Sequence, residues 1–365
     1  DPAIKSAGEQ LVKLPTGGAA TMITSSRAIA VSYGRSFTGI FTDKIFDLAT
    51  GDFLPLGVAH LEAKKEFKTN SNHLKVNFLG DPAMKLSRPK PLLTIDKVES
   101  PVDGQLRALD FVKVSGQVNK DGTLDNTFNG RVVINIFDKK VKRTTRNNDG
   151  NLAPKLTYEE EGSAIVKASG KAINGKYTVE FYVPKDINYA VGQGRILAYA
   201  DNFETAKANA YDVFQNRPVT IGGINETPLN DNQPPKIRLY MNNTNFADGG
   251  ITNQNPMLLA CVTDDTGINS TGAGIGHDIT VILDGQVMNT IPLNDFFSSG
   301  STNGCSAEGL KDYQMGSVAY PFHNLSPGQH QLVFKVWDIN NNSTTSTLNF
   351  VVKDESEKKL IVNRL

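Results

Sequence analysis

The stretch AIVKASGKAINGKYTVEFYV (residues 164–183) decides the fold class of this chain. Small or apolar residues alternate with polar ones on both sides of Asn174-Gly175. Successive side chains of a strand point to opposite faces, so this period of two predicts strands with one buried face. Asn-Gly between two such runs favours a tight turn, because both residues tolerate the positive φ that a two-residue hairpin requires. The stretch predicts an antiparallel β-hairpin.

The same alternation continues on both sides of this hairpin. Val112–Val118 and Val132–Ile136 repeat it upstream, and residues 89–226 contain no credible helix, which is typical of a β-sandwich. A polar, proline-ended linker follows at Thr227–Pro235. Beyond it, six alternating segments predict a second sandwich over residues 236–353: Ile237–Met241, Leu258–Val262, Ile279–Leu283, Val318–Phe322, Leu332–Val336 and Leu348–Val352.

Residues 1–88 have a different pattern, in which short helices and strands alternate. Ser6 and Glu9 form a capping box before a helix to Leu14. Further elements are expected as a strand at Ala19–Ile23, helices at Ser36–Leu48 and from Pro55 to Phe67, and a strand at Leu74–Phe78. Such alternation predicts an α/β layer. The piece is too small to close a doubly covered sheet, so we expect part of this domain to lie upstream.

Two boundary segments complete the organisation. The spaced prolines of residues 88–91 predict a linker between the α/β piece and the first sandwich. Residues 354–365 are charged and then weakly apolar, and we expect them to connect to a further domain.

The composition excludes several classes of partner. The 365 residues contain 38 Lys and Arg against 38 Asp and Glu, so the net charge gives no reason to expect nucleic acid or an anionic membrane. The apolar stretches are far too short to span a bilayer. We expect a protein that does not span the membrane.

Few residues are arranged for chemistry. No two of the five histidines lie at metal-ligand spacing, and a structural role is expected for each. The two cysteines, Cys261 and Cys305, could form a disulfide across a loop of about 44 residues, or remain two buried thiols. A catalytic pair of one of these cysteines with a histidine is the least favoured hypothesis. Residues 272–278 are glycine-rich, but a strand follows them, so we predict a bend before a strand rather than a phosphate loop.

Calcium is the one cofactor that the residues leave open. Five aspartates offer oxygen ligands near the ends of the sandwiches, although their spacing matches no calcium loop: Asp231, Asp248, Asp264, Asp265 and Asp278. No other cofactor or metal is expected.

Six segments together resemble the gingipain-like cysteine peptidases of Bacteroidetes, and most of all their branch that serves as the surface sortase, or signal peptidase, of the type IX secretion system. They are SAGEQLVKLPTGGAATMITSSR (6–27), NFLGDPAMKL (77–86), FNGRVVINIFDK (128–139), YTVEFYVPKDINYAVGQGRI (177–196), DDTGINSTGAGIGHDITVILDG (264–285) and GQHQLVFKVWDINNNS (328–343).

The resemblance implies a mainly β chain: the C-terminal part of a caspase-like α/β domain at residues 1–88, then two immunoglobulin-like sandwiches. In that family a His and a Cys carry catalysis, and no residue of this chain matches either position. The family Cys stands shortly before the segment that Ser6 opens, so the chain alone is expected to be inactive. Thr24, Ser25, Ser26 and Arg27 match a strand end beside the family's cleft, as a substrate-pocket wall or as an ordinary loop.

Three functions follow from the resemblance as expectations. The first is part of a cell-surface cysteine endopeptidase that removes C-terminal secretion signals from cargo proteins and attaches the cargo to the cell surface. Its partners would be cargo with C-terminal sorting domains and an outer-membrane anchor protein, on the extracellular face of the outer membrane. The second is a non-catalytic binding or scaffold module, and the third is a degenerate pseudo-peptidase.

Overall fold

A computed structural model describes residues 5–14, 17–47, 53–66, 71–86, 92–120, 122–146, 155–202, 211–272 and 274–353. The chain divides into two compact units, Asp1–Arg88 and Pro89–Leu365. Most of the regular structure is β, which confirms the predicted fold class. The predicted linker at residues 88–91 and the predicted connection at residues 354–365 lie outside the described residues.

The described residues of the first unit form three α-helices, a 3-10 helix at Ser71–Lys75 and a two-stranded antiparallel sheet: α1 (Ala7–Val12), β1 (Thr21–Ser25), α2 (Val31–Phe46), α3 (Leu56–Lys65) and β2 (Val76–Gly80). The predicted capping box is present, because the Glu9 amide donates to Ser6 Oγ at 3.2 Å and the Ser6 amide donates to Glu9 Oε2 at 2.9 Å. Helix α2 begins earlier than predicted. Tyr33 stacks on Phe37 one turn later, at 6.0 Å between ring centroids, and extends the buried face of the helix.

Helices contact both faces of the sheet of the first unit, although most of its residues stay half-buried. Ile23 packs into a cluster with Tyr33, Phe37, Ala63 and Val76, which joins the sheet to α2 and α3. On the other face α1 lies so close that a Cβ at Gly8 would approach Met22 Sδ to 2.9 Å. The first unit is therefore a thin α/β layer with a small core.

The first β-domain, residues 92–224, begins the second unit. Its strands are β3 (Leu92–Glu99), β4 (Gln105–Ala108), β5 (Phe111–Lys120), β6 (Thr123–Leu124), β7 (Gly130–Phe137), β8 (Val141–Thr144), β9 (Thr157–Glu160), β10 (Ala164–Ile173), β11 (Lys176–Tyr182), β12 (Gly192–Asp201) and β13 (Tyr211–Ile224). Strands β8 and β9 form a separate exposed ribbon.

The hairpin predicted from residues 164–183 is confirmed. Strands β10 and β11 pair antiparallel, with Ile173 opposite Lys176. Asn174 and Gly175 have φ of 51° and 76°, the left-handed values of a two-residue hairpin turn.

The nine other strands of this domain form one continuous sheet, where two separate sheets were expected of a sandwich. Its order is β3-β5-β11-β10-β7-β12-β13-β4, with β6 paired to β5. Register shifts in β3, β10, β12 and β13 bend the strands, as bulges do, and β3 lies against β13. The sheet therefore coils around a single apolar core that includes Ile134 and Val114.

The second β-domain, residues 236–353, is a sandwich of two sheets. Its strands are β14 (Lys236–Met241), β15 (Gly250–Thr252), β16 (Met257–Thr263), β17 (Thr280–Leu283), β18 (Ile291–Pro292), β19 (Phe297–Ser299), β20 (Met315–Pro321), β21 (Gly328–Trp337) and β22 (Ser343–Val352). The sheet orders are β14-β16-β20-β19 and β15-β22-β21-β17-β18. Phe334 and Phe350 are fully buried between them. All six predicted segments overlap strands.

Candidate functional site

The strand-end segment Thr24–Arg27 is the candidate pocket wall in the first unit. Thr24 lies opposite Asn77 and Ser25 opposite Val76 in the pairing of β1 with β2. Beyond the strand, the Ser26 amide donates to the Lys75 carbonyl oxygen at 2.8 Å. The pairing therefore fixes the backbone up to Ser26.

Most side chains of this segment reach the surface. Thr24 is half-buried, whereas Ser25, Ser26 and Arg27 are exposed, and the Ser26 hydroxyl donates to the Lys75 carbonyl oxygen at 3.3 Å. The Ser25 hydroxyl and the Arg27 guanidinium are hydrogen-bond donors suited to a peptide backbone or a carboxylate. Their role as a substrate-pocket wall stays a prediction.

Two of the five histidines, His60 and His330, occupy packed positions. His60 on α3 contacts the rings of Phe37 and Phe78, and burial, with a contribution from Lys64, lowers its pKa. His330 on β21 is also buried.

The two cysteines are joined to each other. Cys261 and Cys305 form a disulfide with a Cα–Cα distance of 5.4 Å, and both are almost fully buried. Nucleophilic cysteine chemistry requires a thiolate. With both sulfurs in this bond, the chain presents no thiolate nucleophile.

Three aspartates meet where the linker from the first β-domain reaches the second. Carboxylate oxygens of Asp231, Asp264 and Asp338 all lie within 4.8 Å of one another. Burial raises the pKa of Asp264 to about 7, and the neighbouring Asp338 charge adds to this. Burial also raises the pKa of Asp338.

This cluster combines predicted and missed residues. Asp231 and Asp264 were among the five calcium candidates, whereas Asp248, Asp265 and Asp278 do not join them. Sequence reasoning missed Asp338, which lies in the run of residues 338–342 that contains three asparagines. That polar run directly after a strand was the available signal. Calcium binding here stays a prediction.

The hydrogen bonds of the cluster satisfy its buried carboxylates. Asp264 Oδ1 accepts from the amides of Thr266 and Gly267, at 2.9 and 2.8 Å. Asp338 Oδ1 accepts from the amides of Asn340 and Asn342, at 2.9 and 2.7 Å. The carboxylates therefore fold two loops at one end of the second β-domain.

The two β-domains are docked to each other. Ser169 Oγ donates to the Ser299 carbonyl oxygen at 2.7 Å, in a buried position. The Lys185 amide donates to the Ile339 carbonyl oxygen at 2.9 Å. His277 Nδ1 lies 2.8 Å from Asp186 Oδ2. Nothing in the sequence identified this joint, because its contacts join residues far apart along the chain.

The glycine-rich bend lies at this joint. Gly272, Gly274 and Gly276 have φ of 66°, 98° and 78°, and the bend precedes β17 as predicted. A Cβ at Gly274 would collide with the Asp186 carboxylate. Gly274 therefore allows the close approach of the two domains.

The first unit is similar to a known protein family. Residues 1–87 match the sequence model described as Peptidase family C25. This is a gingipain-like region. The resemblance predicted from the sequence is confirmed, and the gingipain-like region contains the segment Thr24–Arg27. Among curated proteins no sequence match was found.

Solved structures with similarity to parts of the chain include those of three proteins. Dimeric latent PorU from Porphyromonas gingivalis is 28% identical, with 85% of this chain and 29% of that chain covered and a TM-score of 0.38. The fibronectin(III)-like modules of Clostridium thermocellum CbhA are 15% identical, with 73% and 97% covered and a TM-score of 0.20. The Yersinia pseudotuberculosis adhesin InvE is 11% identical, with 71% and 60% covered and a TM-score of 0.18.

The chain thus spans 29% of the length of the PorU chain that it matches. None of the described helices is long and apolar enough to cross a membrane.

Proposed function

We propose that this chain is part of a cell-surface cysteine endopeptidase that cleaves C-terminal secretion signals from type IX cargo proteins and helps attach the cargo to the cell surface. The observation that carries the proposal is the match of residues 1–87 to peptidase family C25. The similarity at 28% identity to a protein named PorU is consistent with the choice of the sortase branch.

Within this proposal the chain contributes substrate contacts and spacing rather than the nucleophile. Both of its cysteines are consumed by one disulfide. The exposed side chains of Ser25, Ser26 and Arg27 supply polar contacts beside the cleft of the longer protein. Cargo proteins with C-terminal sorting domains and an outer-membrane anchor protein are the proposed partners, at the extracellular face of the outer membrane.

Cleavage assays on the longer protein test the peptidase proposal. Substitution of its catalytic Cys by Ala should abolish cleavage of a cargo C-terminal peptide, because the thiolate is the attacking group. Equal cleavage by the Cys variant and the unmodified protein would refute the proposal. Absence of cleavage by both proteins, with the cargo domain still bound, would indicate a pseudo-peptidase.

A second assay tests the pocket wall. Arg27→Ala in the longer protein should lower kcat/KM for that peptide about tenfold, as expected for loss of one pocket contact. Arg35→Ala is the matched control, because Arg35 is an exposed arginine on α2 outside the segment. Equal effects of the two substitutions would show that Thr24–Arg27 is an ordinary loop.

A non-catalytic scaffold is the second candidate function. The docked β-domains favour it, since the buried Ser169–Ser299 contact and the Lys311–Glu180 ion pair at 2.8 Å hold the two domains in one arrangement. Binding of a purified cargo sorting domain to the 365-residue chain, together with no cleavage by the longer protein, would favour the scaffold over the peptidase.

A further inference from the structure

The Cys261–Cys305 disulfide lies on the outer face of a sheet of the second β-domain. Ala260 and Val262, the neighbours of Cys261 on β16, belong to the core between the two sheets. Cys261 and Cys305 instead form a separate cluster with Leu259 and the half-buried Tyr240. The bond therefore does not cross the core; it ties a covering loop to the outside of the sheet.

The covering loop lies within residues 297–313, here called the docking segment, which begins with strand β19 and ends in a 3-10 turn. Between β19 and the 3-10 turn at Asp312–Gln314 it forms only an isolated bridge, Thr302 with Cys305. Four of its residues have left-handed φ: Gly300, Asn303, Gly304 and Gly309. An irregular backbone of this kind loses conformational entropy without a ladder of hydrogen bonds to offset the loss.

Few non-covalent contacts hold the middle of the docking segment to its own domain. Thr302 Oγ1 lies 2.6 Å from Ser317 Oγ, and Asn303 Nδ2 donates to the same hydroxyl at 2.9 Å. Arg238 donates to the Ser306 carbonyl oxygen at 3.4 Å. The disulfide is the one covalent restraint within this stretch.

The docking segment also makes much of the contact with the first β-domain. Ser299 is hydrogen-bonded to Ser169 through its carbonyl oxygen and its hydroxyl, at 2.7 and 2.8 Å. Beyond the disulfide along the chain, Lys311 is paired with Glu180 at 2.8 Å. Glu180 is also paired with Lys113, at 2.7 Å, on the first β-domain itself.

Aromatic rings of the two β-domains also contact each other. The Tyr313 ring lies edge-on to Phe111 and Tyr182 of the first β-domain, with centroids 5.7 and 5.8 Å away. Along the chain Cys305 lies between the Ser299 contact and the Lys311 and Tyr313 contacts. The Gly300 amide, which donates to the Asp312 and Met315 carbonyl oxygens at 3.0 and 2.8 Å, joins the two ends of this stretch. The disulfide restrains the backbone between those ends.

We propose that the Cys261–Cys305 disulfide is a redox-sensitive clamp on the joint between the two β-domains. When oxidised, the disulfide holds the docking segment in the conformation that contacts the first β-domain. A dithiol reductant breaks the S–S bond: two electrons and two protons pass to the sulfurs, giving two thiols, and the dithiol closes to its own disulfide. The docking segment then loosens, and the joint loses the contacts on either side of Cys305.

Hydrogen exchange of the full 365-residue chain, oxidised and after dithiothreitol, tests the clamp. We expect exchange to rise about tenfold in the docking segment and to rise also in residues 165–182 of the first β-domain, which carry Ser169, Glu180 and Tyr182. Core peptides from β7 and β21 are the controls and should not change. The variant Cys261→Ala/Cys305→Ala should behave like the reduced chain and should not respond to the reductant.

Two outcomes of this experiment would overturn the proposal. Unchanged exchange in residues 165–182, with or without a change in the docking segment, would show that the bond has no effect on docking. Faster exchange in β21 as well would show that the bond is a general cross-link of the second β-domain.

The coupling between the disulfide and the docking of the two domains can also be tested in the opposite direction. If the bond stabilises docking, docking must protect the bond by the same coupling free energy. Tyr313→Ala, which leaves both cysteines in place, should therefore shift the equilibrium of the disulfide with dithiothreitol about fivefold toward the thiols, measured by thiol labelling of equilibrated samples. Ile251→Ala, at an exposed site on β15, is the control and should leave this equilibrium unchanged. An equal equilibrium in all three proteins would contradict the clamp.

Discussion

The two β-domains enclose their apolar cores in different ways. The first coils one nine-stranded sheet around its core and contains no cysteine. The second leaves its two sheets separate and carries the disulfide, on an outer face rather than in the core. The difference indicates that hydrogen-bonded strands and apolar burial fold both domains, whereas the covalent bond restrains the irregular backbone between β19 and the 3-10 turn at Asp312–Gln314.

The largest expected effect is that of a core substitution in the second β-domain. Phe334→Ala should lower the unfolding free energy of the second β-domain by about 4 kcal/mol, because Phe334 is fully buried and its loss leaves a cavity. Denaturant unfolding followed by fluorescence measures this directly, since the single tryptophan, Trp337, lies in that domain.

Ile134→Ala is the matching change in the first β-domain, where Ile134 is also fully buried. It should shift the unfolding transition seen by circular dichroism more than the one seen by Trp337 fluorescence. Equal shifts in both signals would show that the docked domains unfold as one unit. The two cores would then not be independent.

A smaller effect compares two turns, one in each domain. Gly175 and Gly285 have φ of 76° and 68°. A Cβ at Gly175 would collide with the Asp125 carbonyl oxygen, whereas a Cβ at Gly285 would have nothing within 4 Å. Gly175→Ala should therefore cost about 3 kcal/mol and Gly285→Ala about 1 kcal/mol, the latter from backbone strain alone. Thermal unfolding of both variants checks the order, and the reverse order would contradict the argument.

The smallest effect depends on pH. In the second β-domain His330 Nδ1 lies 2.8 Å from Asp284 Oδ2, and Nε2 lies 2.7 Å from the Ser326 carbonyl oxygen. Burial opposes the charged ring, but these two acceptors outweigh it and raise the pKa of His330. The folded state therefore holds the proton more tightly than the unfolded state. This stabilisation is fully present below about pH 6.5 and is lost as the pH rises through the folded-state pKa.

His330→Gln should accordingly cost about 1 kcal/mol at pH 6 and less at pH 8, as expected for loss of hydrogen bonds to a charged group. His323→Gln, at an exposed histidine of the same domain, is the control. A cost of His330→Gln that does not change with pH would show that the ring contributes by packing on Phe350 instead.

The elements that the sequence predicted best are those fixed by neighbouring residues. The capping box of Ser6 and Glu9 and the turn at Asn174-Gly175 form as expected, since each depends on residues only a few positions apart. Helix α2 was predicted too short, because the contribution of Tyr33 depends on the cluster that it joins with Ile23 and Val76. The segment Thr24–Arg27 was placed at a strand end correctly, while its role depends on substrate contacts.

The features that the sequence left open depend on contacts between distant residues. Cys261 and Cys305 allowed a bond or two thiols until their Cα atoms were found 5.4 Å apart. Asp338 joins Asp231 and Asp264 only because three separate loops meet at one end of the second β-domain.

The sequence by itself determined the mainly β fold class, the change from an α/β layer to alternating strands, and the similarity of residues 1–87 to peptidase family C25. These depend on periodicity and short motifs, which are local. Only the tertiary structure decided that the first β-domain is one coiled sheet and that the docking segment joins the domains through Ser299, Lys311 and Tyr313. The reason is physical: side-chain alternation specifies which face of a strand is buried, but not which distant strand or loop covers that face.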